Sequence, residues 1–529
     1  MGRTRSRSAA ATIAFVAAAA LAVGPGRIGA APAAGSSQAL LAAALARYAN
    51  AVTDAGAADV AHVETQGTLA GAGLTGAFHS WSQADSERTD ENLGPRADTT
   101  LRIGDRYWNS DANGDVRELT GVLLRRARTQ HFIDSGDFAK APQGCVYRGR
   151  TRIGPLEADV VEVAADGGET ETLYLDAQSG LPDRLAYDDD DGRTTIDFSD
   201  WRGVGGHHFP FKSVVSNGDH AFDTTQTTTS ISYPGSIPPQ TFAALVPRRI
   251  SMPAPQTLGL TVSEGHLYAP VTIAGRRFNF LLDTGAQDIV LDKHVAASLG
   301  LAPLGAFEAS GAARTGGLQI VKIDELDIGN GKLTDLIAST IDLGASTQGA
   351  FRIDGVLGYP FFASATVRID YFAKTMTFGV PGTLDPLGEK IGIVVDRSFP
   401  EATLRLDGTT DAPFIIDTGN AGEVLLYKPF LDKHAGIVPF STSGRHSYGI
   451  GGSTASYRTS LDRIEFGTIP MYHAETDVML ATSGAFADRF DAGNVGLGLL
   501  KNFVVTFDVT DAAMYLQRSQ AFDDGRTRI

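Results

Sequence analysis

The chain has 529 residues, a formal net charge of −16 at pH 7 and 8% aromatic residues. This length allows roughly three or four core-sized units, and the acidic balance gives no general field that attracts phosphate, which argues against nucleic acid as a partner. The single cysteine, Cys145, excludes an internal disulfide, and we expect it to be a buried structural thiol.

The N-terminus has the pattern of a secretory signal. Three arginines precede an apolar run of about fifteen residues, and Ala31-Pro32-Ala33 provides a small-residue cleavage site. The run is shorter than the ~20 residues that span a bilayer, although an uncleaved membrane anchor stays the alternative. The sequence therefore predicts a signal peptide over residues 1–33, a periplasmic or secreted protein and no transmembrane span in the mature chain.

Residues 36–245 change from one helical segment to a series of short strands. Gln38–Val52 has Leu and Ala at helical spacing, whereas the segments after it alternate or cluster apolar residues between Gly, Asp and Asn turns. This order predicts a mainly β domain, a curved antiparallel sheet or half-barrel with a packed helix.

One stretch of this domain is similar to a known family. Leu173–Val215, with its Gly180-Leu181-Pro182 and Phe209-Pro210-Phe211 turns, loosely resembles the outer-membrane lipoprotein carrier-like proteins. The resemblance implies a module that binds an apolar ligand or docks to an envelope partner. An inhibitory pro-segment is the alternative role, but it ranks behind binding because about 200 residues is long for that task.

Two polar features of the domain have a structural interpretation. The run Asp188–Asp191 lacks the alternating ligand spacing of a calcium loop, so we interpret it as a solvated hairpin tip. The pair His207-His208 is adjacent on a predicted strand, where neighbouring side chains point to opposite faces. We therefore expect no metal site and no cofactor.

A proline-rich stretch separates this domain from the rest of the chain. Six prolines within Tyr233–Pro255 interrupt regular structure. The sequence predicts a linker at residues 246–256.

The second half of the chain repeats itself. Phe278–Asp292 and Ala412–Leu426 each lead an apolar run into Asp-Thr-Gly and leave it in a second β-branched run, and a predicted β-hairpin precedes each Asp. Three later pairs of segments recur in the same order, namely Ser310–Gly317 and Tyr448–Gly452, Ile323–Gly329 and Leu461–Gly467, and Gly355–Phe362 and Val495–Phe503. One Asp-Thr-Gly arises easily by chance, but the repeated surroundings predict two halves of one site.

These motifs give residues 257–529 a resemblance to the aspartic proteases of the pepsin and retropepsin clan. The segment Leu281–Ala286, LLDTGA, is especially similar to the retroviral form. The resemblance implies a double β-barrel with pseudo-twofold symmetry, with one lobe at 257–384 and the other at 385–529.

The resemblance also assigns roles to individual residues. Asp283 and Asp417 correspond to the catalytic pair, in which two facing carboxylates cannot both ionise, and the sequence does not decide which of them keeps the proton. The family pattern implies a scaffold around the pair, formed by Thr284, Gly285, Thr418 and Gly419. It also implies segments that support the two loops from beneath, at Leu357, Gly358, Leu497 and Gly498.

A glycine-rich hairpin is the candidate flap over the cleft. Its residues are Ser310, Gly311, Gly316 and Gly317, and Tyr448 lies in the equivalent segment of the second lobe. An ordinary surface loop is the alternative.

The chain also departs from the pepsin pattern after Asp-Thr-Gly. Ala286 and Asn420 replace the hydroxyl residues usual in pepsins. Losing a hydroxyl that stabilises a carboxylate should make the pair less acidic, so we expect activity at mildly acidic to neutral pH.

The sequence thus predicts an exported aspartic endopeptidase acting on a peptide or protein substrate. The alternative is a non-catalytic envelope binding or carrier protein built on a protease-like fold.

Overall fold

The computed structural model describes residues 5–6, 37–189, 192–310, 315–346, 352–441, 444–449, 452–482 and 484–526. The chain forms two compact units. Of the described residues, one unit comprises those within 37–111 and 116–246, and the other comprises those within 5–6, 112–115 and 247–526. Within the described residues, no helix is long and apolar enough to cross a membrane.

The described chain begins with a two-residue strand, β1 (Arg5–Ser6), and the N-terminal unit then has three α-helices and thirteen strands. Their bounds are α1 (Ser37–Val52), β2 (His62–Gly71), β3 (Leu74–Gln83), β4 (Ser86–Leu93), β5 (Arg96–Ile103), β6 (Arg106–Ser110), β7 (Val116–Glu118), α2 (Gly121–Asp134), α3 (Asp137–Lys140), β8 (Cys145–Ile153), β9 (Leu156–Val163), β10 (Glu171–Asp176), β11 (Pro182–Asp188), β12 (Arg193–Val204), β13 (His207–Ser216) and β14 (Thr224–Ser232).

The thirteen strands form one antiparallel sheet, in the order β7-β6-β5-β4-β3-β2-β14-β13-β12-β11-β10-β9-β8. The predicted helix is confirmed as α1, which buries Leu41, Leu45 and Tyr48. These side chains join a core with strand residues such as Leu173 and Leu185. The mainly β fold with a packed helix is therefore confirmed for this unit.

An open groove of about 1330 Å³ runs along α1. Its lining includes Leu41, Leu45, Pro142 and Val146. Cys145 also lines this groove; its thiol is buried as expected, and burial raises its pKa to about 11.

The structure describes the His207-His208 pair and part of the Asp188–Asp191 run. His207 is buried, with its Nε2 3.0 Å from the Ala58 carbonyl oxygen. Asp188 ends β11 and Asp189 donates its backbone N–H to the Gly192 carbonyl, while residues 190–191 lie outside the described residues. Among the described residues, no group of three or more His, Cys, Asp or Glu side chains is arranged to hold a metal ion.

The C-terminal unit carries the repeated half of the chain. The elements of its first lobe are β15 (Gln256–Gly259), β16 (Thr261–Ser263), β17 (His266–Ile273), β18 (Arg276–Leu282), β19 (Val290–Asp292), α4 (Lys293–Ser298), β20 (Gly305–Ser310), β21 (Thr315–Ile328), β22 (Gly331–Ile341), α5 (Leu343–Ser346), β23 (Gly355–Leu357), α6 (Tyr359–Ser364), β24 (Thr366–Asp370) and β25 (Thr375–Gly379).

The second lobe follows in the same order. Its elements are β26 (Glu389–Gly392), β27 (Val394–Asp396), β28 (Phe399–Leu406), β29 (Thr410–Ile416), β30 (Val424–Tyr427), α7 (Lys428–Lys433), β31 (Gly444–Gly449), β32 (Gly452–Phe466), β33 (Ile469–Met479), β34 (Gly493–Val495), α8 (Leu497–Leu500), β35 (Phe503–Asp508) and β36 (Ala513–Arg518).

Each lobe closes six of its strands into a ring. In the first lobe the ring runs β17-β18-β23-β19-β22-β21 and returns to β17, and in the second it runs β28-β29-β34-β30-β33-β32 and returns to β28. The repeat read from the sequence is thus a repeat of topology, and the double-barrel prediction is confirmed.

A six-stranded sheet joins the lobes, in the order β15-β25-β24-β35-β36-β26. At its centre β24 of the first lobe pairs antiparallel with β35 of the second, with Val367 opposite Phe507 and Ile369 opposite Val505. These four side chains are buried. The lobes are therefore held together by backbone hydrogen bonds and by a common apolar core.

The strands that lead to the two Asp-Thr-Gly loops show the same burial pattern. In β18 the side chains of Phe278 and Phe280 are buried and that of Asn279 is exposed, but the last two leucines are both buried. In β29 the last five residues show the same pattern, ending in two buried isoleucines. A strand that is covered on both faces at its end delivers the next residue into the interior.

The N-terminal unit buries the carboxyl group of Glu171 in its interior. Glu171 is fully buried, and neither of its carboxylate oxygens has a hydrogen-bond partner among the described residues. Burial raises its pKa from 4.5 to about 8, because the ionised form loses its hydration.

We predict that this carboxyl group makes the N-terminal unit less stable as the pH rises. The folded state prefers protonated Glu171. The stability of the unit is therefore highest below pH 4.5 and falls as the pH rises toward 8. Glu171→Gln should raise the melting temperature near pH 8 and leave it nearly unchanged near pH 4.5. The control is Glu162→Gln, since Glu162 is partly exposed and paired with Arg148; equal effects of the two variants would contradict the prediction.

Candidate active site

The two Asp-Thr-Gly loops are held from beneath by equivalent strands. In the first lobe β18 pairs parallel with β23, and the Asp283 N–H donates to the Leu357 carbonyl at 3.1 Å. In the second lobe β29 pairs parallel with β34, and the Asp417 N–H donates to the Val495 carbonyl at 2.8 Å. Each Asp therefore begins its loop at the same point of its barrel.

The two carboxyl groups lie in contact with the opposite loops. Asp283 is 4% exposed and Asp417 is 1% exposed. A Cβ atom placed on Gly285 would lie 2.5 Å from Asp417 Oδ1, and one placed on Gly419 would overlap the Asp283 carboxyl group. Both positions require glycine because each loop passes against the carboxyl group of its mate.

Two threonines lock the loops together. The Thr284 hydroxyl accepts from the Thr418 N–H at 3.0 Å and donates to the Ile416 carbonyl at 2.6 Å. The Thr418 hydroxyl accepts from the Thr284 N–H at 3.0 Å and donates to the Leu282 carbonyl at 3.0 Å. These four reciprocal bonds relate the loops by a local pseudo-twofold axis.

Burial and proximity set the protonation of the pair. Each Asp accepts a hydrogen bond at 2.9 Å on its Oδ1 from the glycine N–H two residues later. Desolvation, followed by the charge of Asp417 and a hydrogen bond with its carboxyl group, raises the pKa of Asp283 well above its ordinary value. Two such groups cannot both ionise, so the pair holds one proton near neutral pH.

The second loop has a polar support, and no equivalent side-chain amide bonds to Asp283 among the described residues. Asn494 on β34 donates from Nδ2 to Asp417 Oδ2 at 2.7 Å, and its Oδ1 accepts from Asn420 Nδ2 at 2.8 Å. Asn420 Oδ1 in turn accepts from the Gly422 N–H at 2.8 Å. All three side chains in this chain, Asp417, Asn494 and Asn420, are buried.

The strand pairing corrects the predicted correspondence between the supporting segments. Leu282 lies opposite Leu357 and Ile416 opposite Val495, so Gly358 corresponds to Gly496 and not to Gly498. The sequence comparison was wrong by two residues, because the second segment contains glycines that fit either alignment.

Leu497 and Gly498 nevertheless contact the second loop. The Leu497 N–H donates to the Asn420 carbonyl at 2.7 Å, and the Gly498 N–H donates to the Gly422 carbonyl at 2.9 Å. In the first lobe, a Cβ atom on Gly358 would lie 2.6 Å from the Ala286 carbonyl oxygen. The supporting segments therefore pack directly under both loops.

Both candidate flap segments are β-hairpins. In the first lobe β20 pairs antiparallel with β21, so that Ser310 lies opposite Thr315, while Gly316 and Gly317 lie opposite Ala309 and Glu308. Gly311 lies outside the described residues. In the second lobe Tyr448 of β31 lies opposite Ser453 of β32, so each lobe carries one such hairpin.

Sequence reasoning missed Asn494. Its signal is an asparagine within Gly493-Asn494-Val495-Gly496, where the first lobe has Gly355-Val356-Leu357-Gly358. Only the correct alignment places this polar residue at an apolar position, and Asn420 immediately after Asp-Thr-Gly is its partner.

Comparison with known proteins agrees with the site. Residues 269–361 match the family model described as aspartyl protease, which confirms the resemblance over most of the first lobe. No curated protein matches the chain.

The chain is also similar to several solved structures. A retropepsin-like aspartic protease from Rickettsia conorii is 20% identical over 25% of this chain and 94% of its own, with a TM-score of 0.18. A LolA superfamily protein from Nitrosomonas europaea is 13% identical over 40% of this chain and 99% of its own, with a TM-score of 0.28. A DUF1329 family protein from Desulfovibrio piger is 13% identical over 39% of this chain and 96% of its own, with a TM-score of 0.27.

We predict that removing one hydroxyl from the threonine lock destabilises the C-terminal unit. Thr284→Val keeps the volume but leaves the Thr418 N–H and the Ile416 carbonyl unpaired in the interior. Each lost partner costs about 1–3 kcal/mol, so the free energy of unfolding should fall by about 2–6 kcal/mol in urea titration.

The matched control is Thr476→Val. Thr476 is also fully buried, but its hydroxyl makes a local bond to the Ala474 carbonyl and does not cross between lobes. A loss no larger in Thr284→Val than in this control would show that the lock contributes little.

Proposed function

We propose that residues 257–529 form an aspartic endopeptidase in which Asp283 and Asp417 together activate water for peptide hydrolysis. The observation that carries the proposal is the meeting of two buried carboxyl groups across a reciprocal threonine lock. The aspartyl protease match at residues 269–361 supports the same conclusion.

The chemistry follows from the shared proton. The ionised carboxyl group accepts a proton from a water molecule, and the protonated one donates to the carbonyl oxygen of the peptide bond. Because both groups are buried before substrate binds, little further desolvation is needed at the carboxyl groups.

The hairpins β20-β21 and β31-β32 are our candidates for covering the substrate. Closure over a bound peptide would exclude water and complete the site. The sequence of the first hairpin segment is rich in small residues, with serine at 310 and glycine at 311, 316 and 317.

We further propose that the protein is exported and that its N-terminal unit is a binding module. Export rests on the arginines and apolar run of residues 1–33. The apolar groove along α1 supports an apolar ligand or an envelope partner for this unit. It is also the observation that favours the alternative function, a carrier protein whose protease-like half does not cut.

We predict that either Asp283→Asn or Asp417→Asn abolishes peptide cleavage, because each variant leaves the site without one half of the acid and base pair. Cleavage of a peptide library, followed by mass spectrometry with and without pepstatin, measures this loss. Asp411→Asn is the control, since this exposed carboxyl group pairs with Arg405 at the end of its hairpin that lies away from Asp417. A wild-type protein that is folded yet cuts nothing between about pH 3 and 8 would leave the carrier alternative.

We predict a pH optimum in the mildly acidic to neutral range. The raised pKa of Asp283, about 8, keeps this group protonated as the acid below that value, so activity should decline as the pH rises through it. The profile of kcat/KM against pH measures the decline, and melting temperatures at each pH separate it from unfolding. A profile that peaks below about pH 3 would contradict the prediction.

A further inference from the structure

The two active-site loops differ in what surrounds their carboxyl groups. Leu281 lies opposite Val356, and Ile415, the equivalent residue, lies opposite Asn494. Likewise, Ala286 and Asn420 each stand three residues after their Asp. The first lobe thus has apolar residues, which belong to a buried apolar cluster, where the second has two amides.

The direction of the amide chain is fixed at its far end. The Gly422 N–H can only donate, so Asn420 must turn its Oδ1 toward it and its Nδ2 toward Asn494. Asn494 must then accept with Oδ1 and point Nδ2 at Asp417. The chain therefore always presents a donor to the Asp417 carboxyl group.

The surrounding backbone keeps this geometry in place. A Cβ atom on Gly496 would lie 2.5 Å from the Asn420 carbonyl oxygen and 2.6 Å from Asn420 Nδ2. The glycine makes room for the amide, and the helix α8 that follows it anchors the loop through the Leu497 N–H. A side chain at position 496 would therefore displace the Asn420 amide.

The consequence is an unequal pair. Asp417 accepts from Gly419 on one oxygen and from Asn494 on the other, whereas no side-chain amide among the described residues reaches Asp283. A donated hydrogen bond stabilises an ionised carboxyl group, and an apolar surrounding favours a neutral one. The nearby carboxyl groups do not reverse this, because Asp288 accepts from Ser339 and Glu423 accepts from the Glu475 N–H.

We propose that Asn494, held by Asn420, is a positioning residue that keeps Asp417 ionised and so makes Asp283 the proton carrier of the pair. The proposal rests on the proposed function for its role in catalysis. Asp417 then takes a proton from water as the water oxygen bonds to the carbonyl carbon. Asp283 gives its proton to the carbonyl oxygen as the C=O double bond opens, and the total charge of the pair is unchanged.

Selective labelling of the carboxyl groups tests this assignment without a substrate. An aryl glycidyl ether is opened by an ionised carboxylate, whereas a diazoacetyl ester reacts with a protonated carboxyl group. At mildly acidic pH, peptide mapping by mass spectrometry of the full chain should place the first label on Asp417 and the second on Asp283. The reverse placement would overturn the proposal.

Variants connect the labelling pattern to the amide chain. Asn494→Val copies the first lobe and should spread the glycidyl label over both Asp residues; Val356→Asn should draw part of it to Asp283. In a peptidase assay, the acidic limb of the pH profile of Asn494→Val should move up by about one to two pH units, the effect of losing one charge-assisted hydrogen bond. Asn420→Ala keeps Asn494 but removes the side chain that orients its amide, and should shift the acidic limb by a smaller amount in the same direction.

A matched control separates positioning from stability. Asn502→Ala removes another buried asparagine, which bonds to the Leu499 carbonyl and not to the pair, and should lower the melting temperature without changing the labels. If Asn494→Val does not fold, Asn420→Ala decides, and an unchanged label pattern in it overturns the proposal. A wild-type protein that labels as expected but cuts no peptide refutes the proposed function and leaves the charge assignment intact.

Discussion

The reciprocal hydrogen bonds of Thr284 and Thr418 are the interaction on which the candidate site depends. Each hydroxyl satisfies one backbone N–H and one carbonyl of the opposite loop, so four buried polar groups find partners only when both loops are present. Buried backbone groups are costly to leave unpaired. The lock therefore fixes the separation of the two Asp residues more firmly than packing alone would.

That fixed separation also explains the unusual ionisation. Two carboxyl groups removed from water and forced together repel each other unless a proton is shared, and the raised pKa of Asp283 expresses this cost. The apolar strands beneath the loops, with Leu281 and Leu282 buried, keep water from relieving it. The same burial that destabilises a charge makes the pair suitable for moving one proton at a time.

Much of this arrangement could be predicted from the sequence, because its signals are local. The hairpins before each Asp, the glycines after each threonine and the order of the repeated strands follow from short patterns of apolar, turn and glycine residues. The alignment of Leu497 and Gly498 with Leu357 and Gly358 was wrong by two residues, since Gly496 and Gly498 offer two equally good local alignments. Asn494 was missed because its meaning depends on which residue of β29 it faces, and strand register is a long-range property.

The pairing of β24 with β35 through the middle of the joining sheet has a consequence for how the halves come together. Both halves belong to one polypeptide, so their encounter is intramolecular, and its extent should not change on dilution. A pair of identical subunits would carry every substitution twice. A covalently joined pair can keep an asparagine in one half and a valine in the other, which allows the two carboxyl groups to specialise.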